Sequence, residues 1–227
     1  GTESASVDIA KKSLLEKAKS RPDDLKKVIE LMKRDGVVSA YTTAIDQLEK
    51  PSPLGYSSAG TVIAIGDSVN GFEVGDRVSC GGSGHAEIIS VPVNLCCKVP
   101  EGVSLKEASF TTISSIAMQG VRQANLSLGE NIGVIGLGLI GIITSQLAKA
   151  AGCKVIGIDI DDEMVNFAHS KFDINSINRS EKAISEKIFS LTNGHGLDKI
   201  IITAATKSND PIDFSTKNLR DRGEIVV

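Results

Sequence analysis

The sequence predicts an α/β fold, built on a doubly wound parallel sheet that follows a smaller β-rich region. A strand, a glycine turn, a helix and a second strand succeed one another between Asn131 and Asp162. From there to Val227, apolar strand-like runs alternate with helical patterns, which is typical of a parallel sheet. Between Gly55 and Val99, short apolar runs alternate with glycine turns, which favours a small, barrel-like antiparallel sheet.

Composition excludes several classes of protein. The chain has 227 residues, enough for one large or two ordinary domains, and its 41% hydrophobic and 23% charged residues are those of a globular protein. The net charge of −3 gives no indication of a nucleic-acid partner. No apolar run approaches the roughly 20 residues that span a bilayer, so we expect no membrane contact. Without a recognisable signal peptide or a C-x-x-C motif, a reduced, cytoplasmic protein is expected.

The first part of the chain is predicted to be helical, from residue 11 to residue 50. Leu25, Val28, Ile29 and Met32 fall on one apolar face. The basic residues of this part form either a solvated helix face or a surface for a partner. Both ends of the sequence have the character of interrupted elements, and we expect a piece of a longer protein.

The β-rich region is predicted to contain three strands, and a helix is predicted to follow it. We predict strands at Thr61–Ile65, Arg77–Cys80 and Ala86–Val91, separated by glycine turns. A helix is predicted from Ser104 to Ala124, because Ser104 and Glu107 have the spacing of a capping box.

Three glycines define the turn after the strand Ile132–Ile135. Gly136 permits a tight turn, Gly138 lets the backbone approach a pyrophosphate, and Gly141 lets helix and strand pack closely. The helix that follows presents unpaired N–H groups and a positive dipole end to phosphates. The alternative is a parallel sheet in which the glycines only make turns.

Asp159 ends the second strand, where it would accept hydrogen bonds from the adenosine ribose. A 2′-phosphate would meet its negative charge, so NAD is the expected cofactor rather than NADP. Other expected cofactor contacts are Leu137, Leu139, Ile140, Ile160, Ala204 and Ala205. The remaining predicted elements are helices at 161–171, 180–191 and 213–219, and strands at 176–178, 197–203 and from 224 onward.

These motifs together resemble a known family. Val74-Gly75-Asp76-Arg77-Val78, then Gly102-Val103-Ser104 with its helix, then the dinucleotide segment, resemble the medium-chain dehydrogenase/reductase superfamily, the relatives of zinc alcohol dehydrogenase. The resemblance implies a GroES-like catalytic domain at residues 1–120, with a helical insertion at 11–50, and a Rossmann domain at 121–227, both incomplete. The branch resembles threonine and sorbitol dehydrogenases. It implies a small-molecule substrate, a homodimer as one option, and fusion to a second oxidoreductase domain as another.

The resemblance also bears on the metal. Zinc-dependent members carry Gly-His-Glu where this chain has Gly55-Tyr56-Ser57, and a Cys or Glu near Thr112. Catalytic zinc needs three N, S or O ligands of this kind, so we expect no metal. Thr2 matches the residue that relays the alcohol proton. Tyr56 either donates its O–H to a developing alkoxide or fills the space that the metal leaves.

The leading functional hypothesis is a zinc-independent, NAD(H)-dependent dehydrogenase acting on an alcohol or carbonyl, such as a sugar derivative. One alternative is an NADPH-dependent enoyl or quinone reductase, against which Asp159 argues. Another is a non-catalytic dinucleotide-binding domain of a larger protein.

Overall fold

The computed structural model describes residues 54–227. Thr2 and the helices predicted between residues 11 and 50 lie outside this part. The chain divides into two compact units, one of Gly1–Tyr56 and Gly82–Ser90, the other of Ser57–Gly81 and Val91–Val227. No helix in the described part is both long enough and apolar enough to cross a membrane.

A three-stranded antiparallel sheet lies in the second unit, in the order β1-β2-β3. Its strands are β1 (Ser57–Thr61), β2 (Arg77–Gly81) and β3 (Cys96–Lys98). Cys80 of β2 faces Cys96 of β3, and their sulfurs are 3.5 Å apart. The predicted antiparallel β region is therefore confirmed, with different strand bounds.

Two of the predicted strands were wrong. Residues 62–65 and 86–91 are not strands, although both segments carry β-branched residues. Ile63 and Ile88 are 63% and 70% exposed, so their apolar side chains do not lie on a packed sheet face. Val62 continues the pairing of β1 with β2 beyond the strand, because its N–H donates to Asp76 O and its carbonyl accepts from Gly75 N–H.

The predicted helix from Ser104 to Ala124 consists of two helices. These are α1 (Leu105–Ala108) and α2 (Thr111–Gln123), separated at Ser109 and Phe110. The capping box is confirmed, because Glu107 N–H donates to Ser104 Oγ at 3.1 Å and Ser104 N–H donates to Glu107 Oε2 at 2.8 Å. The break follows from hydroxyl groups that compete for backbone carbonyls, Ser109 bonding to Lys106 O and Thr111 to Ala108 O.

The rest of the chain forms a five-stranded parallel sheet in the order β6-β5-β4-β7-β8. Its strands are β4 (Asn131–Ile135), β5 (Lys154–Asp159), β6 (Asn175–Asn178), β7 (Leu197–Ile202) and β8 (Leu219–Val226). The helices that alternate with them are α3 (Leu139–Ala150), α4 (Asp162–Phe172), α5 (Ile184–Leu191) and α6 (Asp210–Asn218). The predicted doubly wound α/β fold is confirmed.

Each face of this sheet has its own apolar core. Val134 of β4 packs with residues of α2, α3 and α4. The next residue, Ile135, packs with residues of α5 and α6. The chain crosses from one face to the other between β6 and β7, so the loops after β4 and β7 leave the sheet in opposite directions at its carboxyl edge, where folds of this topology bind ligands.

Some element bounds differ from prediction for local reasons. Helix α5 begins at Ile184 rather than Ser180, because the Asn178 side chain accepts hydrogen bonds from both the N–H and the hydroxyl of Ser180. Helix α6 begins at Asp210, with Pro211 in its first turn, a position that proline favours. Strand β8 begins at Leu219, directly after α6, five residues before the predicted Glu224.

The four cysteines are free thiols of unequal exposure, which predicts unequal reactivity. Burial, followed by the neighbouring Cys96 thiol, raises the pKa of Cys80 to about 12. Since the thiolate is the nucleophile, iodoacetamide at pH 8 should modify the exposed Cys97 at least about tenfold faster than Cys80. Peptide mass spectrometry would measure both rates, with the urea-unfolded chain as the control. Equal rates in the folded chain would contradict the buried position of Cys80.

Candidate cofactor-binding site

The glycine turn lies at the carboxyl end of β4, beside the end of β7. Gly136 has a φ of +95°, which favours glycine, and its N–H donates to Ile158 O of β5 at 2.8 Å. A Cβ at Gly136 would lie 2.7 Å from the backbone nitrogen of Ala204. A side chain is therefore excluded here by both the backbone conformation and the neighbouring strand.

The other two glycines differ in their surroundings. A Cβ at Gly141 would lie 1.7 Å from the carbonyl oxygen of Gly136, so only glycine lets the first turn of α3 approach the turn this closely. A Cβ at Gly138 would meet nothing within 4 Å. The backbone at Gly138 is thus open on the side where a phosphate is predicted, and contact with a cofactor there stays a prediction.

Helix α3 presents unpaired backbone donors at this opening. Gly138 is its N-cap and provides no side-chain hydrogen bond, and Ile142 N–H donates to Gly138 O at 2.9 Å. The N–H groups of Leu139, Ile140 and Gly141 precede that bond, so they have no acceptor within the helix. Together with the helix dipole, they form the geometry that binds phosphates in proteins.

The side chains of the turn have distinct positions. Leu137 is fully buried in the core shared with α2, α3 and α4, so only its backbone faces the turn. Leu139 is 51% exposed and Ile140 is half-buried. Ile160, predicted to flank the adenine, is 79% exposed at the carboxyl end of β5.

Asp159 holds the glycine turn from the β5 side. Its Oδ2 accepts the N–H of Leu137 at 2.5 Å, and its Oδ1 accepts the N–H of Asp161 at 3.0 Å. Each carboxylate oxygen keeps a second lone pair, so a ribose hydroxyl can still bind. The sequence indicated the ribose role of Asp159 and gave no indication of the bond to Leu137.

Asn178, at the end of β6, was not predicted as a site residue. Its Nδ2 donates to Asp162 Oδ1 at 2.6 Å and to Ile160 O at 3.3 Å. The backbone N–H of the next residue, Arg179, donates to Asp159 O at 2.7 Å. These bonds fix the segment that carries Asp159. The sequence feature that could have identified Asn178 is its place as a polar residue at the end of a buried strand.

The end of β7 forms the other side of the turn. Ala204 is half-buried against Gly136, and Ala205 is exposed. Thr203, which was not predicted as a site residue, bonds through its hydroxyl to the carbonyl of Gly136 at 2.7 Å. The structure thus brings together the glycine turn, Asp159 and the end of β7 at the carboxyl edge of the sheet.

Of the two residues predicted for catalysis, Tyr56 falls within residues 54–227. Tyr56 is half-buried, and its carbonyl accepts the N–H of Gly82 at 3.0 Å. At the neighbouring Gly55, a Cβ would lie 2.8 Å from the ring of His85. Thr112 donates its hydroxyl to Cys80 O at 3.4 Å. Among residues 54–227, no group of three or more His, Cys, Asp or Glu residues has the arrangement of a metal site.

Comparison with known families assigns the chain. A family model described as "Alcohol dehydrogenase GroES-like domain" matches residues 23–101, and one described as "Zinc-binding dehydrogenase" matches residues 140–227. The chain belongs to the medium-chain dehydrogenase/reductase superfamily, whose members use nicotinamide cofactors. Its described part has the superfamily's combination of a GroES-like region and a Rossmann sheet.

Individual relatives are dehydrogenases of sugars and polyols. A D-guloside 3-dehydrogenase of Escherichia coli (strain K12) is 36% identical over 157 residues, which are 66% of this chain and 44% of the relative. A sorbitol dehydrogenase of Bombyx mori is 29% identical over 153 residues, 54% of this chain and 44% of the relative. The chain spans about half the length of the curated relatives it matches.

Solved structures share the fold. A quinone oxidoreductase from Pseudomonas syringae superposes with a TM-score of 0.63 at 27% identity, covering 78% of this chain and 55% of the other. The alcohol dehydrogenase of Thermus sp. ATN1 superposes with a TM-score of 0.70 at 23% identity, covering 81% of this chain and 65% of the other.

The bond between Asp159 and the glycine turn predicts a loss of stability in Asp159→Ala. Removing a charged acceptor from two backbone N–H groups should lower the free energy of unfolding by about 2 kcal/mol. Asp159→Asn keeps an acceptor oxygen and should lose less. Urea denaturation measures both variants, with Asp67→Ala, at an exposed position in the loop after β1, as the control. Wild-type stability in Asp159→Ala would show that the carboxylate does not hold the turn.

Proposed function

We propose that this chain belongs to an NAD(H)-dependent oxidoreductase that transfers a hydride between nicotinamide and an alcohol or carbonyl carbon. The observation that carries the proposal is the open glycine turn at Gly138 with Asp159 fixed beside it. Membership of a superfamily of nicotinamide-dependent enzymes supports the reaction class.

The preference for NAD over NADP rests on the fixed charge of Asp159. Two like charges about 4 Å apart repel by about 4 kcal/mol at an effective dielectric constant of about 20, and the 2′-phosphate carries at least one such charge. Because Asp159 already accepts the N–H groups of Leu137 and Asp161, turning away from the phosphate would break both bonds. The preference for NAD over NADP therefore depends on the same hydrogen bonds of Asp159 that hold the glycine turn.

A sugar or polyol derivative is the proposed substrate. The relatives named D-guloside 3-dehydrogenase, D-xylulose reductase and sorbitol dehydrogenase support this class, at 28–36% identity. Each of these names describes oxidoreduction at a carbon of a polyhydroxylated molecule.

We propose that the reaction proceeds without zinc at the usual catalytic position. The residue types support this, since the family resemblance matches Tyr56 and Thr112 with positions where zinc-dependent members carry a metal ligand. The hydroxyl of Tyr56 would donate to the oxygen of the substrate carbonyl as negative charge develops there, and Thr2 would relay the proton.

We assign residues 1–120 to the catalytic domain and residues 121–227 to the dinucleotide-binding domain. Helix α2 (Thr111–Gln123) spans this boundary, and it packs against β1 and β2 as well as α3. The amino-terminal turns of α2 would then belong to the catalytic domain, and its last turn would belong to the dinucleotide-binding domain.

A second candidate function is the reduction of quinones or conjugated double bonds. The structural likeness to a quinone oxidoreductase, at 27% identity, favours it, as do hydroxyl-bearing residues at the two metal-ligand positions. Another similar solved structure contains NADPH. The fixed Asp159 favours the dehydrogenase.

Cofactor titration tests the proposal directly. NADH should bind at least about tenfold more tightly than NADPH, because the 2′-phosphate meets the Asp159 carboxylate. In Asp159→Ser, which keeps a hydroxyl for hydrogen bonding, that ratio should fall toward one. Quenching of protein fluorescence is weak in a chain without tryptophan, so NADH fluorescence or calorimetry is the measurement. Tighter binding of NADPH by the wild type would favour the reductase.

Tyr56→Phe tests the catalytic role with a change of a single hydroxyl. We expect kcat for a sugar alcohol to fall about 10- to 100-fold while the Kd for NADH is unchanged, because only donation to the reacting oxygen is lost. Tyr41→Phe, at the chain's other tyrosine, is the matched control.

Metal analysis of the same preparations completes this test. Stoichiometric zinc that is lost together with activity would overturn the zinc-free proposal. NADH binding without turnover of any alcohol, carbonyl or enone in a substrate panel would favour a non-catalytic dinucleotide-binding domain.

A further inference from the structure

Thr203 joins the end of β7 to the glycine turn. Its N–H donates to Ile135 O at 2.8 Å, which continues the pairing of β7 with β4 by one residue. Its hydroxyl lies 2.7 Å from Gly136 O and 3.1 Å from Ile135 O. Because Ile135 O already accepts the Thr203 N–H, the shorter hydroxyl bond to Gly136 is the one that adds a constraint.

The carbonyl of Gly136 needs a hydrogen-bond donor from the protein where it packs against α3. Its oxygen lies 1.7 Å from the position that a Cβ of Gly141 would take, so it packs directly against the first turn of α3. A carbonyl packed against other backbone loses contact with water and must find a hydrogen-bond donor within the protein. The Thr203 hydroxyl is such a donor.

The same peptide group is held at its other end. The carbonyl of Gly136 and the N–H of Leu137 belong to one peptide bond, which is trans, so the two groups point in opposite directions. Leu137 N–H donates to Asp159 and Gly136 O accepts from Thr203. One peptide plane is thereby fixed between the ends of β5 and β7.

We propose that Thr203 is a positioning residue for the pyrophosphate of the dinucleotide. Its hydroxyl keeps the Gly136 carbonyl turned toward α3. Rotation of this peptide would turn its carbonyl toward the Asp159 carboxylate, break the Leu137 N–H bond and change the direction of the backbone that leads to Gly138 and α3. With the plane fixed, the backbone at Gly138 and the first N–H groups of α3 face the ligand. This role rests on the proposed binding of a dinucleotide.

Thr203→Val tests the proposal, since it removes the hydroxyl and keeps the branched shape. In the 227-residue chain, the Kd values for NADH and for ADP should rise about tenfold, the effect of one lost hydrogen bond. The Kd for adenosine, which has no phosphate, should change less than twofold. Calorimetry measures NADH and ADP, and ligand-observed NMR measures adenosine. Thr203→Ser keeps the hydroxyl and should restore wild-type affinity.

Thr192→Val is the matched control. Thr192 is a buried threonine, whereas Thr203 is half-buried, and the Thr192 hydroxyl donates to Ile188 O at 2.9 Å before β7 begins. It should lose stability without a change in the affinity for ADP. If Thr203→Val does not fold by circular dichroism, Thr203→Cys replaces the hydroxyl with a weaker donor of similar size and should show a smaller loss for ADP.

The outcomes separate the two proposals. Unchanged ADP binding by folded Thr203→Val, or an equal loss for adenosine and ADP, would overturn the role of Thr203 and leave dinucleotide binding intact. If the wild type binds neither NADH nor ADP, the proposed function itself fails, and the positioning role fails with it.

Discussion

The candidate cofactor site depends on one peptide group, the one that joins Gly136 to Leu137. Its N–H is held by Asp159 at the end of β5, and its carbonyl by Thr203 at the end of β7. Since β4 lies between those two strands, the peptide at its end is held from both sides of the sheet. Because this peptide group is fixed, it sets the orientation of the open backbone at Gly138 and of the free N–H groups of α3.

The sequence predicted this region well because its signals are local. Gly136, Gly138 and Gly141 occur at a fixed spacing, and the acid that follows the next strand is Asp159. The structure puts β4 within one residue of the predicted Ile132–Ile135, and β5 ends at Asp159 as predicted. Thr203 and Asn178 escaped prediction because their partners are far along the chain, and a hydroxyl or a carboxamide at a strand end has no distinctive spacing.

The β-rich region was predicted less accurately for a different reason. An apolar alternation identifies a strand only when one face of it is buried, and the segments around Ile63 and Ile88 leave these side chains exposed. Strand β3 shows the converse. Cys96–Lys98 is short and carries a lysine, yet it pairs with β2 because register with Cys80 and Ser79 provides its hydrogen bonds. Whether a segment became a strand therefore depended on its contacts with distant parts of the chain, both for the two segments wrongly predicted as strands and for β3.

The contacts of Asp159 couple cofactor selection to the stability of the turn. Glycine or alanine at this position would remove the repulsion of a 2′-phosphate, and it would also remove the acceptor of the Leu137 N–H. That donor is a backbone group at the edge of the apolar core, where an unpaired N–H is destabilising by about 1–3 kcal/mol. With either of these residues, a change toward NADP therefore requires a second substitution, or a bound water, that accepts this hydrogen bond. Serine meets part of that requirement, because its oxygen can accept one N–H, whereas glycine or alanine leaves the peptide held by Thr203 alone.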